Sequence, residues 1–210
     1  MTPIRAQGVL FDLDGTLIDS TPAVVRCWSR ILIELGLPTD IVPSLHGIPA
    51  SQSLRKLLPD ACEDEIEHWY RKIERYEIED TEGIVFLDGA AELHNTLRER
   101  GIPFLVVTSC TRELARARAQ AVGLTLPQNS VFFDDVERGK PFPDPYLVGL
   151  SRLRLSADDV IAVEDAPAGV ESARAAGLRV VGLTTTHTRD ELHLAEPVID
   201  SLRELEILAN

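Results

Sequence analysis

Four short runs of apolar residues lack the alternation of apolar and polar positions that marks a half-buried strand. These runs lie at residues 7–12, 103–109, 159–165 and 179–183. Strands buried on both faces of a parallel sheet have this pattern. Helical stretches, each followed by a glycine, lie between the runs at residues 89–100, 112–122 and 168–176. Strand, helix and glycine in repetition predict βαβ units, so we expect an α/β fold with a doubly wound, Rossmann-like parallel sheet.

Residues 18–85 have a different pattern, with four prolines between helical stretches and no strand pattern. The helical stretches are residues 22–35, a shorter one near 51–58, and 63–79. We therefore predict a small α-helical cap domain over 18–85, inserted after the first strand of a core formed by 1–17 and 86–210. Hinges are expected near Leu17–Thr21 and Glu82–Leu87.

Composition and charge narrow the class of protein. The chain has 210 residues, 44% of them hydrophobic, which is enough to bury a core. Its 34 acidic and 21 basic residues give a net charge of -13, which argues against nucleic-acid binding. No apolar stretch approaches the roughly 20 residues that span a bilayer, so no membrane association is expected. The three cysteines lack the spacing of a disulfide framework or a zinc site, and we expect a cytoplasmic protein, a monomer or weak dimer.

Three of the four apolar runs end in polar residues. Asp12 and Asp14 follow the first run, Ser109 ends the second, and Glu164 and Asp165 end the third. Carboxyl ends of neighbouring parallel strands share one edge of the sheet, so we expect these side chains to converge there. Four carboxylates at one edge require a cation, and hard oxygen ligands suit Mg²⁺. The alternatives are an ordinary acidic turn at Asp12 and an acid at a helix N-terminus at Glu164 or Asp165.

Two further segments suit an anionic substrate. Lys140 lies in a proline-rich loop, where a fixed ammonium would balance the charge of a transferring phosphoryl group. The Ser109 hydroxyl and the next backbone N–H can both donate to a phosphate oxygen. A solvated surface lysine and an ordinary helix N-cap are the alternatives.

These motifs resemble, in their order, the four motifs of the haloacid dehalogenase (HAD) superfamily. The matching stretches are Phe11–Thr16, Val107–Ser109, Lys140–Pro141 and Val163–Gly169. The insertion resembles the helical cap of the phosphoglucomutase-like subgroup. Three stretches are similar to small sugar-phosphate and glycerol-phosphate phosphatases: His46–Arg55, Thr81–Gly83 and Gly139–Tyr146. The dehalogenases of the family lack the second aspartate, so Asp14 favours phosphate chemistry.

The resemblance implies a role for each matching residue. Asp12 would be the nucleophile that forms an aspartyl-phosphate, and Asp14 the general acid and then the general base. Mg²⁺ would be held by Asp12, the Asp14 backbone carbonyl, Glu164 and Asp165. The phosphoryl group would be held by Ser109, the Cys110 N–H and Lys140, with Thr16 shaping the turn.

The expected activity is Mg²⁺-dependent hydrolysis of a small phosphorylated metabolite, a sugar or polyol phosphate. In the cap, His46, Ser53 and Arg55 are expected to face the substrate. The first alternative is an intramolecular phosphotransferase on sugar phosphates. Mutases of the family carry a basic cap residue where this chain has Ala50, although Arg55 is close in sequence. The second is a regulatory module phosphorylated on aspartate, which would lack both the cap and the second acid.

Overall fold

The computed structural model describes residues 2–45 and 50–209, which form two compact units. The first unit is Met1–Asp19 with Val85–Asn210, and the second is Ser20–Ile84. The strands are β1 (Thr2–Arg5), β2 (Gly8–Phe11), β3 (Ile18–Asp19), β4 (Val85–Phe86), β5 (Phe104–Val106), β6 (Val160–Glu164), β7 (Arg179–Leu183), β8 (Val198–Ile199) and β9 (Leu205–Leu208). The α-helices are α1 (Thr21–Glu34), α2 (Ala50–Leu57), α3 (Glu63–Glu79), α4 (Ala90–Glu99), α5 (Arg112–Ala121), α6 (Asp144–Leu153) and α7 (Pro167–Ala175).

The first unit is built on a five-stranded sheet in the order β5-β2-β6-β7-β8, and every pair in it is parallel. Val9 of β2 is in register with Phe104 on one side and with Ile161 on the other. The predicted α/β fold with a doubly wound parallel sheet is confirmed. Since β2 lies between β5 and β6, the strand ends that carry the polar residues are neighbours at one edge of the sheet.

Burial explains why the strands have apolar runs without alternation. All four residues of β2 and all five of β6 are buried, including Glu164. Side chains of β6 such as Val160 and Ala162 pack with Tyr146, Val170 and Leu178 in one apolar cluster. Covered on both faces, these strands have no solvent-facing positions for polar residues.

Residues that favour helix ends flank α5 and α7. Thr111 caps α5, and its hydroxyl accepts a bond of 3.4 Å from the Leu114 N–H. Pro167 occupies the first turn of α7, where a missing N–H costs nothing. Glycines with positive φ follow both helices, at Gly123 and Gly177.

The second unit has its own apolar core. Helices α1 and α3 pack on each other, as do α2 and α3. The buried residues of this core include Trp28, Ile31, Leu54 and Ile73. No helix in the described part of the chain has the length and apolar character of a membrane-spanning segment.

Several short elements differ from the sequence prediction. Residues 18–85 were expected to contain no strand, but Ile18–Asp19 pairs antiparallel with Val85–Phe86. The loop predicted around Lys140 continues directly into α6. The ribbon of β1 with β9 and the edge strand β8 were not predicted. Each of these strands has two to four residues, too few for a periodic pattern to stand out.

Candidate functional site

The turn after β2 positions Asp12 and Asp14, the first acidic residues of the site. The Asp12 N–H donates to Val163 O of β6 at 3.0 Å, and the Gly15 N–H donates to Ile18 O at 2.8 Å. Gly15 has a φ of 82°, and a Cβ there would overlap the Asp165 carboxyl group. Glycine is therefore required both by the backbone conformation and by the close approach of Asp165.

Three buried carboxylates meet at this edge of the sheet. One oxygen from each of Asp12, Glu164 and Asp165 lies within 4.8 Å of the others. Burial raises the pKa of Asp12 well above its usual range, and Glu164 and Asp165 add to the effect, although Lys140 opposes it. Burial, followed by the charge of Glu164, raises the pKa of Asp165 to about 7. The group therefore holds more negative charge than its surroundings stabilise.

Lys140 lies within this group of carboxylates. Its Nζ donates to Asp12 Oδ1 and Glu164 Oε1, both at 2.6 Å, and to Val107 O at 2.9 Å. Burial alone would lower the pKa of Lys140, but the two carboxylates outweigh it and raise this pKa. The lysine therefore carries its charge at neutral pH.

Asp14 departs from the expectation that four carboxylates would gather. Asp14 Oδ1 lies 2.9 Å from an Arg118 guanidinium nitrogen, and its Oδ2 accepts from the Cys110 thiol at 3.1 Å. Only three carboxylates form the close group in the described residues, and Asp14 has a separate cation. Nothing in the local sequence pairs Arg118 with Asp14, because Arg118 lies in α5, more than 100 positions away in the chain.

Two further contributors to the site were missed. The Tyr146 hydroxyl, fully buried on α6, donates to Glu164 Oε1 at 2.6 Å. Thr186 donates to the Asp165 carboxylate, which also accepts from Thr16 at 3.3 Å. Thr184, Thr185 and Thr186 directly follow β7. This run of hydroxyls at the carboxyl end of a predicted strand was the signal that could have found Thr186.

The segment after β5 contains Ser109 and Cys110, the two residues predicted to bind phosphate through a hydroxyl and a backbone N–H. Ser109 is exposed at the strand edge, while the Cys110 N–H donates to Thr108 Oγ1 at 3.1 Å. Burial and the nearby Asp14 raise the pKa of the Cys110 thiol well above its usual range. Cys110 is thus a protonated thiol, unsuited to nucleophilic attack.

The predicted cap residues are placed as follows. His46 lies outside the described residues. Ser53 is fully buried on α2, and Arg55 forms an ion pair with Glu63 at 2.7 Å. Their roles toward a substrate stay predictions.

Fold and site together define an α/β enzyme in which a strand-end aspartate, a lysine and a group of buried carboxylates share one edge of a parallel sheet. The family model described as "haloacid dehalogenase-like hydrolase" matches residues 9–183. The chain belongs to this family, and the predicted family is confirmed.

Individual proteins support this assignment. Hexitol phosphatase A of Escherichia coli (strain K12) is 40% identical over 97% of this chain and 95% of its own length. Validoxylamine A 7'-phosphate phosphatase of Streptomyces hygroscopicus subsp. limoneus is 35% identical over 93% of this chain and 94% of its own. Among solved structures, a mutant of CbbY from Rhodobacter sphaeroides in complex with xylulose-(1,5)bisphosphate has a TM-score of 0.85 at 23% identity. The match covers 97% of both chains, which shows a shared fold.

Proposed function

We propose that this protein is a Mg²⁺-dependent phosphatase that hydrolyses small sugar or polyol phosphates through an aspartyl-phosphate. The observation that carries the proposal is the group of Asp12, Glu164 and Asp165 around Lys140, with Asp14 held separately nearby. The predicted enzyme class, a phosphoric monoester hydrolase, agrees with the phosphatase names of both relatives above.

The carboxylate group fits a divalent cation. Three carboxylates bring a charge of −3 and Lys140 brings +1, so −2 remains. A nucleophilic carboxylate must be ionised, and the raised pKa of Asp12 indicates that Lys140 alone does not supply enough positive charge. Hard oxygen ligands of this kind suit Mg²⁺. We assign the ligands to Asp12, the Asp14 backbone carbonyl and Asp165, with Glu164 binding directly or through water. Bound Mg²⁺ would neutralise charge on the phosphoryl oxygens.

In the first step, a carboxylate oxygen of Asp12 attacks phosphorus in line with the ester oxygen. The bond from phosphorus to the ester oxygen breaks, and the leaving alkoxide takes a proton from the Asp14 carboxyl group. The product alcohol departs, and the phosphoryl group stays on Asp12. Lys140, whose Nζ already contacts Asp12 at 2.6 Å, balances charge on the nucleophile and on the transferring group.

In the second step, Asp14 accepts a proton from a water molecule that attacks the same phosphorus. The bond between phosphorus and Asp12 breaks, and inorganic phosphate is released. Ser109 and the Cys110 N–H are proposed to hold phosphoryl oxygens in both steps, and for Cys110 this requires giving up the bond to Thr108. Thr16, through Asp165, helps to fix the turn after Asp14.

Residues 18–85 are proposed to act as the cap, and His46, Ser53 and Arg55 as its substrate-facing residues. Closing a cap over a phosphate ester would exclude water, and reopening would release the products.

The proposal is tested by a screen of a few dozen phosphorylated metabolites with and without Mg²⁺. Phosphate release is expected only with Mg²⁺ and highest with sugar or polyol phosphates. Asp12→Asn should abolish it, because an amide cannot form the aspartyl-phosphate, while the exposed Asp158→Asn should retain it.

Phosphate release by Asp12→Asn at the wild-type rate would end the proposed mechanism. Conversion of glucose 1-phosphate to glucose 6-phosphate without free phosphate would show the phosphotransferase instead.

A further inference from the structure

Helix α5 carries a cation on its buried face. Leu114, Ala115, Arg118 and Ala119 are its buried residues. The Arg118 side chain is only 5% exposed. An arginine is rarely buried to this extent unless a carboxylate compensates for its lost hydration.

The compensating carboxylate is Asp14, the acid/base of the proposed function. One Asp14 oxygen lies 2.9 Å from Arg118, and the other accepts from the Cys110 thiol at 3.1 Å. Arg118 also donates to Cys110 Sγ at 3.2 Å, which closes a three-membered network. Asp14 Oδ2 therefore has a hydrogen-bond donor in the segment after β5, while Oδ1 faces the charge of Arg118 without accepting a hydrogen bond.

Within residues 2–45 and 50–209, the site has two buried cations, and they are divided between different carboxylates. Lys140 pairs with Asp12 and Glu164, while Arg118 pairs with Asp14. Without its own cation, Asp14 would be drawn toward Lys140 or a bound metal at the same strand edge. An acid that turned there could not deliver its proton to a leaving alkoxide.

We propose that Arg118 is a positioning residue that holds the Asp14 carboxyl group beside Cys110 for proton transfer to and from the substrate. The inference rests on the proposed function and extends it. A purely structural role of Arg118, as an anchor for α5, is the competing explanation, so the test needs a readout that separates the two.

The leaving group supplies that readout. p-Nitrophenolate departs without a proton, whereas the alkoxide of sorbitol 6-phosphate needs one from Asp14. For Arg118→Met, we expect kcat/KM with sorbitol 6-phosphate to fall about 100-fold. With p-nitrophenyl phosphate it should stay within a factor of about three, because kcat/KM reports the steps through leaving-group departure. Arg118→Lys should recover part of the loss, since it retains the charge.

Two controls make the comparison specific. Arg116, an exposed arginine on the same helix, is changed to Met and should leave both substrates unaffected. In an Asp14→Asn background, Arg118→Met should cause no further loss with sorbitol 6-phosphate, because the two residues act as a unit. Circular dichroism checks the fold of each variant, and if Arg118→Met does not fold, the same split must be seen with Arg118→Lys.

Equal losses on both substrates, or a further loss in the Asp14→Asn background, would overturn the inference. The two levels of failure are distinguishable. If Asp14→Asn itself treats both substrates alike, the proposed acid role fails and the inference fails with it. If Asp14→Asn shows the split and the Arg118 variants do not, only the role of Arg118 fails.

Discussion

The surroundings of the Asp165 carboxyl group have two opposing effects on its pKa. It is buried beside Glu164, and it accepts hydrogen bonds from Thr16 and Thr186. Burial and Glu164 disfavour its charged form, and the hydrogen bonds only partly offset them, so its pKa rises from 3.8 to about 7. Geometry suited to a cation therefore makes the metal-free protein less stable at neutral pH than it would be with a neutral side chain.

This shift predicts a pH dependence of stability. Between the ordinary pKa of 3.8 and about 7, the folded protein binds more protons at Asp165 than the unfolded chain does. The free energy of unfolding therefore falls as pH rises through this interval. In EDTA, Asp165→Asn should raise Tm relative to wild type by an amount that grows up to about pH 7 and then levels off.

Thermal melts of both proteins across this pH range measure the effect, with the exposed Asp158→Asn as control. The control should follow the wild-type curve. A Tm difference for Asp165→Asn that is constant with pH, or that shrinks as pH rises, contradicts the prediction.

At the scale of elements, α6 contributes a residue to the site that its sequence pattern did not predict. It begins at Asp144, soon after Lys140, in a stretch whose prolines suggested only a stiff loop. Pro145 is compatible with a helix because it lies in the first turn, where its missing N–H is not needed. The helix places Tyr146 against Glu164. Helix α6 therefore begins just after Lys140, the cation of the site, and its Tyr146 fixes Glu164, one of the carboxylates.

Tyr146→Phe removes this hydrogen bond while keeping the aromatic ring. If Glu164 helps to hold Mg²⁺, the variant should bind Mg²⁺ about 10-fold more weakly, since groups that orient metal ligands contribute about this much to affinity. Calorimetric titration of Mg²⁺ measures this without relying on activity.

The second unit offers a matched control. The Tyr76 hydroxyl donates to Glu34 at 2.7 Å, also a tyrosine–glutamate bond. Tyr76→Phe should lower stability slightly and leave Mg²⁺ affinity unchanged. Equal Mg²⁺ affinities for wild type and Tyr146→Phe would show that Glu164 is not oriented by Tyr146.

At the scale of the whole molecule, the insertion leaves and rejoins the first unit at one place. Asp19 and Val85 are partners in the antiparallel ribbon of β3 and β4. Within the second unit, Arg26 forms two bonds to the Asp80 carboxylate, at 2.8 and 2.6 Å, so the ends of the insertion are also tied to each other. Each unit has a separate apolar core.

This arrangement predicts that the first unit folds without the second. Replacing Ser20–Ile84 by an Asn-Gly link should close a hairpin between β3 and β4, since two residues suffice for antiparallel neighbours. The shortened protein should keep cooperative melting by circular dichroism and bind Mg²⁺, because the carboxylate group lies wholly in the first unit. The same deletion carrying Asp165→Asn is the control and should lose Mg²⁺ binding. A shortened protein that shows no cooperative transition contradicts the prediction.

The sequence by itself determined the sheet, its main strands and helices, and the acids at the strand ends. Burial on both faces removes polar residues from strands such as β6. Helix ends need residues such as Thr111 and Gly177. Both kinds of element can therefore be predicted from the local sequence. The convergence of Asp12 and Asp165 also followed, because parallel strands share one carboxyl edge.

Only the tertiary structure decided which charges pair. A buried carboxylate pairs with the nearest cation in space. The local sequence pattern predicts neither the identity of that cation nor its distance. Arg118 was therefore missed as the cation beside Asp14. Tyr146, a neutral donor to Glu164, was missed because its contact also depends on the fold. The short strands β1, β8 and β9 were missed because two to four residues are too few to show a periodic pattern.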